Sequence, residues 1–248
     1  CPRSGSNMLR WLLDAHPNLT CPPFSMLLHV LGEQALLDPA SAAAYRALRS
    51  PRPWTLRYFR EWFEAALDSV AKREGKARWC FRHWVTYRSL HLVDELFNDR
   101  AHYIFLVRHG LDVADAASKV YPGAETWQEG PNGRDEHFHE AYGGSAQMAY
   151  AHYWREVSER MLEFKALHPN RVFVLRYEDL VAQPQQKLSE LFAFIGEELP
   201  AELVQRAFST PKPMLSAWEG HEVTRTKSIE QGRHHLYRAW SPELVRAA

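Results

Sequence analysis

Apolar side chains recur along the chain at helical spacing in some stretches and form short unbroken runs in others. Residues 8–15 are apolar on most faces, which predicts a deeply buried helix directly after a short polar turn. Further helices are predicted at about 25–36 and 40–48. The next helix is amphipathic, and the stripe that we expect to face the core consists of Trp54, Tyr58, Phe59, Trp62, Phe63, Ala66, Leu67 and Val70.

From residue 78 onward the pattern alternates between short apolar runs and helical periods. These runs predict strands at 78–81, 103–107 and 171–175, the last two buried. Helical periods predict helices at 86–98, 147–167 and 188–195. Gly196 fits the C-cap of the last of these helices.

Strands separated by helices are typical of an α/β fold with a central parallel sheet flanked by helices on both faces. No linker divides the 248 residues, so we expect a single domain over 1–248. The polar turn at the start has no strand before it. We therefore expect a domain cut from a longer polypeptide, with the first strand of its sheet missing here.

Composition narrows the possible partners. The formal net charge is zero, which argues against nucleic-acid binding, and no apolar run is long enough to span a bilayer. The three cysteines are Cys1, Cys21 and Cys80, and their spacing fits neither a zinc site nor a disulfide framework. This cysteine usage predicts a cytoplasmic protein.

The opening turn carries the clearest chemistry. Ser4, Gly5 and Ser6 precede a helix, whose first N–H groups lack carbonyl partners and whose dipole favours an anion. Arg3 adds a guanidinium that fits an oxyanion, and Asn7 adds a neutral donor. A Walker A lysine followed by a hydroxyl is missing, which disfavours a magnesium-dependent kinase.

The stretch Pro2-Arg3-Ser4-Gly5-Ser6-Asn7 and the helix after it resemble the 5′-phosphosulfate loop of sulfotransferases that use 3′-phosphoadenosine-5′-phosphosulfate (PAPS). The usual form in that family is Pro-Arg/Lys-Ser-Gly-Thr-Thr, so Ser6 and Asn7 are substitutions that still donate hydrogen bonds. The overall pattern is most similar to bacterial and protein-tyrosine sulfotransferase-like members. The resemblance implies a P-loop-like sulfotransferase fold, PAPS as co-substrate, adenosine 3′,5′-bisphosphate (PAP) as product, and no metal.

Two further tracts extend the resemblance to the catalytic groups. Arg82 stands where many sulfotransferases have a lysine that stabilises the leaving oxygen, and a guanidinium can supply the same charge. His83 follows it and is our first candidate for the base that deprotonates the acceptor. A hydrogen-bonded histidine at a strand end is the alternative. Ser228 resembles a late serine that contacts the sulfuryl group in protein-sulfating relatives.

Other matches concern the nucleotide. Arg108 resembles the strand-end arginine that grips the 3′-phosphate, while Ala116 replaces the usual serine and Ser118 is the nearest hydroxyl. Tyr177 resembles a tyrosine near the adenine. The tract at 231–233 is similar to a late loop that closes over the nucleotide. Together the loop and the resemblance assign nucleotide binding to Arg3, Ser4, Gly5, Ser6, Asn7, Arg108, Ser118, Tyr177, Gly232 and Arg233, and catalysis to Arg3, Arg82, His83 and Ser228.

The general base stays open, because Phe24 stands where relatives often carry a glutamate. His83, His137, His139 and Glu140 are the candidates, the last three within a polar, glycine-rich stretch at 121–147 that predicts a long loop. A metal site at 135–140 is disfavoured, because sulfuryl transfer requires no metal and clustered polar loop residues are usually solvated.

The resemblance implies transfer of a sulfuryl group from PAPS to a hydroxyl or amine. A non-catalytic phosphoadenosine-binding domain is the first alternative, motivated by the missing glutamate and by Ala116. A small-molecule kinase with a P-loop is the second. The acceptor is left open between a small molecule, a glycan, a peptide and a carrier-tethered intermediate, and the oligomeric state is also open.

Overall fold

The computed structural model describes residues 3–22, 52–82, 90–97, 100–119, 141, 145–209, 229 and 235–247. These residues belong to two compact units. The first unit comprises Cys1–Ser6, His102–Leu199 and Ser216–Ala248, and the second comprises Asn7–Ala101 and Pro200–Leu215. The predictions for helices at 25–36 and 40–48 lie outside the described residues, as does most of the predicted loop at 121–147.

The first unit is built on two parallel strands, β3 (Tyr103–Val107) and β4 (Val172–Arg176), paired from Tyr103 with Val172 to Val107 with Arg176. Parallel strands need a long crossover, and here helices α4 (Gly110–Ser118) and α5 (Ala146–Leu167) lie between them in the chain. The ends of both strands and of helix α5 were predicted to within one residue. The parallel α/β architecture predicted from the sequence is confirmed.

Helix α4 and helix α5 pack closely because α4 begins with a glycine. A Cβ at Gly110 would lie 2.6 Å from Cε3 of Trp154, so only a hydrogen fits between this backbone and the indole. Buried side chains of α5, including Tyr153 and Phe164, fill the space around the strands. The ring of Phe164 meets that of Tyr103 edge-on, at a centroid separation of 4.9 Å.

Two helices complete the β4 side of the unit. Helix α6 (Tyr177–Ala182) starts directly at the end of β4, and α7 (Pro184–Phe194) begins with a proline at its first turn. Gly196 has φ +76°, as predicted for a helix C-cap. The prediction that the strand at 171–175 is buried holds only in part, because Val172 and Leu175 are buried while Phe173 is partly exposed and Val174 is 39% exposed.

The second unit begins with most of helix α1 (Ser6–Asp14), followed by β1 (Leu19–Thr20), α2 (Arg52–Arg73), β2 (Arg78–Trp79) and α3 (Leu90–Phe97). Helix α8 (Leu203–Ser209) also belongs to it. Strands β1 and β2 pair in parallel, and the strand predicted at 78–81 is limited to its first two residues. The first unit ends with a short 3₁₀ helix (Leu236–Ala239) and α9 (Pro242–Ala247).

An aromatic cluster holds the second unit together. The ring of Phe63 is buried and makes edge-on contacts with Trp79, Phe81 and Phe97, at centroid separations of 5.0–5.9 Å. Lys76 ties the turn after α2 to the other elements, donating to the carbonyl oxygens of Asp14 at 2.6 Å and Leu19 at 3.0 Å.

Helix α2 corrects the predicted core stripe. The core side of this helix is formed by Leu56, Phe63, Leu67 and Ala71. Three aromatic side chains that we expected in the core are half-exposed or more: Trp54 (53%), Tyr58 (61%) and Trp62 (50%). Since successive helical positions are 100° apart, Trp62 and Phe63 cannot lie on one narrow stripe, and the predicted stripe was therefore too wide.

Candidate functional site

The polar turn before α1 has the backbone geometry of an anion-binding loop. Arg3 has φ +63° and Gly5 has φ +93°, so left-handed residues stand on both sides of Ser4. Turns of this kind direct successive backbone N–H groups into one concavity, and the first turn of α1 adds the unsatisfied N–H groups of a helix start. The loop therefore offers a cluster of donors to an anion.

A tyrosine ring supports this loop from the adjacent strand end. Tyr177 is buried, and a Cβ placed on Gly5 would lie 2.7 Å from its Cδ2 atom. The left-handed φ and the ring both restrict this position to glycine. The ring lies against the loop, and the position of Tyr177 near the adenine, which the resemblance implies, stays a prediction.

Arg108 joins the loop to the end of β3. Its side chain is buried, and Nη1 donates a hydrogen bond to the carbonyl oxygen of Arg3 at 2.8 Å. Its guanidinium carbon lies 4.9 Å from the centre of the Tyr177 ring, within the range of a cation–π contact. Three residues predicted from distant parts of the sequence, Arg3, Arg108 and Tyr177, thus lie together.

The peptide group between Arg108 and His109 is held by two side chains that the sequence did not indicate. The indole Nε1 of Trp154 donates to the Arg108 carbonyl at 2.9 Å, and the His109 N–H donates to Oε1 of Glu178 at 2.8 Å. Neither contact has a signature in one sequence, because the partners are 46 and 69 residues apart.

Ser4 contributes a buried hydroxyl to the loop. The residue is 1% exposed, and its Oγ has no hydrogen-bond partner among the residues that the structure describes. Buried polar groups are nearly always paired, so an unpaired hydroxyl within an anion-binding loop fits a ligand oxygen. This is the observation on which the fit of a phosphosulfate group to the loop rests.

The C-terminal segment attaches to α4 through two buried aspartates, which sequence reasoning also missed. The Asp112 carboxylate accepts the N–H groups of His235 at 3.0 Å and Leu236 at 2.7 Å, and Asp115 accepts Nε1 of Trp240 at 3.0 Å. The ring of Tyr237 stacks on His109 at a centroid separation of 4.9 Å. An aromatic pair thus lies one residue after Arg108.

The remaining predicted residues fall into three groups. Ser118 lies at the last position of α4, where its hydroxyl donates to the Asp115 carbonyl at 3.1 Å, and its role towards the 3′-phosphate stays a prediction. Ser6 and Asn7 are the first residues of α1, and Arg82 follows β2 in the second unit, where it is partly buried. Outside the described residues lie Phe24, His83, His137, His139, Glu140, Ser228, Gly232 and Arg233.

The two described cysteines of the second unit lie in contact. Cys21 and Cys80 directly follow the paired strands β1 and β2, and the Cys80 N–H donates to the Thr20 carbonyl at 2.8 Å. Burial of the thiol, together with its hydrogen bond to Cys21, raises the pKa of Cys80 well above its ordinary value. Cys80 is therefore a neutral thiol at physiological pH.

Over the part of the chain that the structure describes, no three His, Cys, Asp or Glu side chains are grouped as a metal site. None of the helices that the structure describes has the length and apolar character needed to cross a membrane.

Comparison with known proteins gives a family and a fold for the chain. The sequence profile described as the sulfotransferase family matches residues 1–201. The sulfotransferase domain from the curacin biosynthetic pathway has a similar fold, with a TM-score of 0.62 and 18% identity over 100% of this chain and 93% of that domain. The sulfotransferase domain from the Synechococcus PCC 7002 olefin synthase also has a similar fold, with a TM-score of 0.59 and 19% identity over 99% of this chain and 90% of that domain. A search of curated protein sequences found no match.

Proposed function

The chain belongs to the sulfotransferase family, and from this premise we propose that it transfers a sulfuryl group from PAPS to a hydroxyl or amine of an acceptor. Family membership supports sulfuryl transfer as the class of reaction. The choice of PAPS is supported by the loop, because the buried Ser4 hydroxyl, which no described residue pairs, fits an oxygen of a phosphosulfate group.

In this proposal the loop binds the 5′-phosphosulfate end and Arg108 serves the 3′-phosphate. The loop N–H groups, the Ser4 hydroxyl and the Arg3 guanidinium hold negative charge, while the hydrogen bond from Arg108 to the Arg3 carbonyl keeps the loop in its left-handed conformation. Arg108 is buried beside the loop, and the resemblance implies that its guanidinium binds the 3′-phosphate.

When bound, PAPS supplies a sulfuryl group on a phosphate leaving group, so the acceptor oxygen or nitrogen bonds to sulfur as the bond from sulfur to the phosphate oxygen breaks. Arg3 and the loop donors stabilise the charge that develops on the departing PAP, which is electrostatic stabilisation by preorganised donors. Arg82 remains our proposed second cation, and the base remains open between His83, His137, His139 and Glu140.

The central test is Arg3→Ala. Loss of a preorganised donor at a developing charge costs on the order of 3–4 kcal/mol of transition-state stabilisation. We therefore expect turnover of radiolabelled PAPS to fall by at least about a hundredfold when phenol, alcohol, hydroxyacyl thioester and amine acceptors are offered as a panel. Undiminished turnover in this variant would contradict the mechanism.

Calorimetry with PAP separates the proposal from its alternatives. Binding of PAP without consumption of PAPS by any acceptor would favour a non-catalytic phosphoadenosine-binding domain. Transfer from ATP that a chelator abolishes would favour a kinase. We expect PAP binding and PAPS consumption, both unaffected by the chelator.

A further inference from the structure

The turn at the end of β3 is fixed through one peptide group. Its carbonyl, from Arg108, accepts from the Trp154 indole at 2.9 Å, and its N–H, from His109, donates to the Glu178 carboxylate at 2.8 Å. A peptide group bonded on both edges by side chains of other helices cannot rotate without breaking one of these bonds. The direction in which the Arg108 side chain leaves the backbone is fixed with it.

Trp154 also determines where the next helix starts. Its ring lies against Gly110, where an added Cβ would come within 2.6–3.0 Å of three indole atoms. The indole therefore contacts the backbone on both sides of His109. Its N–H donates to the Arg108 carbonyl, and its ring packs against Gly110. Such a contact requires tryptophan, since phenylalanine keeps only the packing.

Glu178 acts from the neighbouring strand end. Val107 and Arg176 form the last register pair of β3 and β4, so Arg108 and Tyr177 are the residues that directly follow the two strands. The ring of Tyr177 packs beside the Arg108 guanidinium, and Glu178, one residue later, bonds to the backbone after Arg108. The dipeptide Tyr177-Glu178 thus holds both the side chain and the main chain of this turn.

We propose that Trp154 and Glu178 are positioning residues that orient Arg108 for the 3′-phosphate of the nucleotide, an inference that rests on the proposed function. Neither side chain is expected to touch the ligand. Both act through the peptide group between Arg108 and His109, whose two hydrogen bonds they complete.

The test measures PAP and 5′-AMP binding by calorimetry for Trp154→Phe and Glu178→Ala. Each variant loses one hydrogen bond, so we expect the Kd for PAP to rise roughly threefold to tenfold. The Kd for 5′-AMP, which has no 3′-phosphate, should stay within about twofold. Glu178→Gln keeps an acceptor oxygen and should recover most of the PAP affinity.

Two control variants test whether losing an indole or carboxylate hydrogen bond elsewhere in the protein also raises the Kd for PAP. Trp79→Phe removes an indole bond to Asp68 of 2.7 Å, and Glu190→Ala removes a carboxylate bonded to Lys187. We expect both to leave the PAP affinity unchanged. Thermal unfolding of every variant, together with retained 5′-AMP binding, reports that the fold is intact.

A double-mutant cycle makes the inference specific. In an Arg108→Ala background, Trp154→Phe should have no further effect on PAP binding, because the group that it positions is gone. An additive effect, or equal losses for PAP and 5′-AMP, would overturn the inference. Failure of the unmodified protein to bind PAP would instead overturn the proposed function.

Discussion

The ring of Tyr177 fills the space into which any side chain at Gly5 would project, leaving 2.7 Å between a Cβ at Gly5 and Cδ2 of the ring. The two residues are far apart in the chain, yet the ring fixes the backbone of the anion-binding loop. Tyr177 also contacts Arg108, so one buried ring supports both of the groups expected to bind the nucleotide.

Gly5→Ala should therefore weaken nucleotide binding. The substitution forces the ring or the loop to move, in addition to about 1–2 kcal/mol for a left-handed alanine. We expect PAP affinity to fall more than about tenfold by calorimetry. Gly75→Ala is the matched control, because Gly75 has φ +68° and no atom within 4 Å of its added Cβ. It should lose about 1 kcal/mol of stability and bind PAP normally; normal binding by both variants would refute the role of the loop.

Ser4→Ala should separate affinity from stability. Removing a buried hydroxyl that no described residue pairs relieves a desolvation cost, so the melting temperature should stay constant or rise. PAP binding should weaken by about 1.5–3 kcal/mol, the range for a hydrogen bond to a charged group.

The control for this experiment is Ser145→Ala. Ser145 is the N-cap of α5, and its hydroxyl accepts from the Met148 N–H at 3.5 Å. Its loss should lower stability by about 1 kcal/mol without changing PAP affinity. If Ser4→Ala behaved in the same way, the Ser4 hydroxyl would be structural.

Two adjacent aromatic residues of α2 should respond in opposite ways. Phe63 is 2% exposed and contacts three other rings, so Phe63→Ala should destabilise the protein by about 3–5 kcal/mol. Trp62 is 50% exposed, and Trp62→Ala should change stability by less than about 1 kcal/mol. Chemical denaturation checks both values, and a large loss from Trp62→Ala would contradict the burial pattern of the helix.

Asp112 should hold the C-terminal segment on α4. Its carboxylate is 1% exposed and receives two backbone N–H groups, so Asp112→Ala should cost about 2–4 kcal/mol and release the segment. Limited trypsinolysis should then cleave faster after the exposed Arg238. Glu159→Ala, which removes an acid from the exposed face of α5, should leave the cleavage rate unchanged.

Cys80 should make stability depend on alkaline pH. Burial and the contact with Cys21 raise its pKa in the folded state, whereas the unfolded chain loses the proton near pH 8.5. The stabilisation from the neutral thiol is thus complete below about pH 8.5 and declines by up to about 1.4 kcal/mol per pH unit above it. Denaturation of Cys80→Ala between pH 7 and 10 should show a shallower decline, and parallel curves for the two proteins would contradict the assignment.

The sequence predicted those parts of the fold that depend on local patterns. Strand β3 is an unbroken apolar run and helix α5 has a long helical period, so both were located from neighbouring residues alone. The core stripe of α2 failed because its aromatic residues occur on both faces. Local periodicity does not reveal which face other elements will cover.

For the candidate site, the residue types could be predicted from the sequence, but their mutual contacts could not. The loop and Arg108 were recognisable because the resemblance supplied their pattern. The bonds from Trp154, Glu178 and Asp112 join residues that are 46 to 124 positions apart, and no short motif records such pairs. These contacts depend on tertiary packing, which a single sequence does not contain.

The left-handed backbone of Arg3 is costly for any residue with a side chain. Glycine adopts this conformation more readily than arginine, so a chain selected only for a well-formed turn would carry glycine there. A long cationic side chain at this dihedral angle is what we expect where its charge binds an anion. Arg3→Gly should therefore raise the stability of the protein and weaken its binding of PAP.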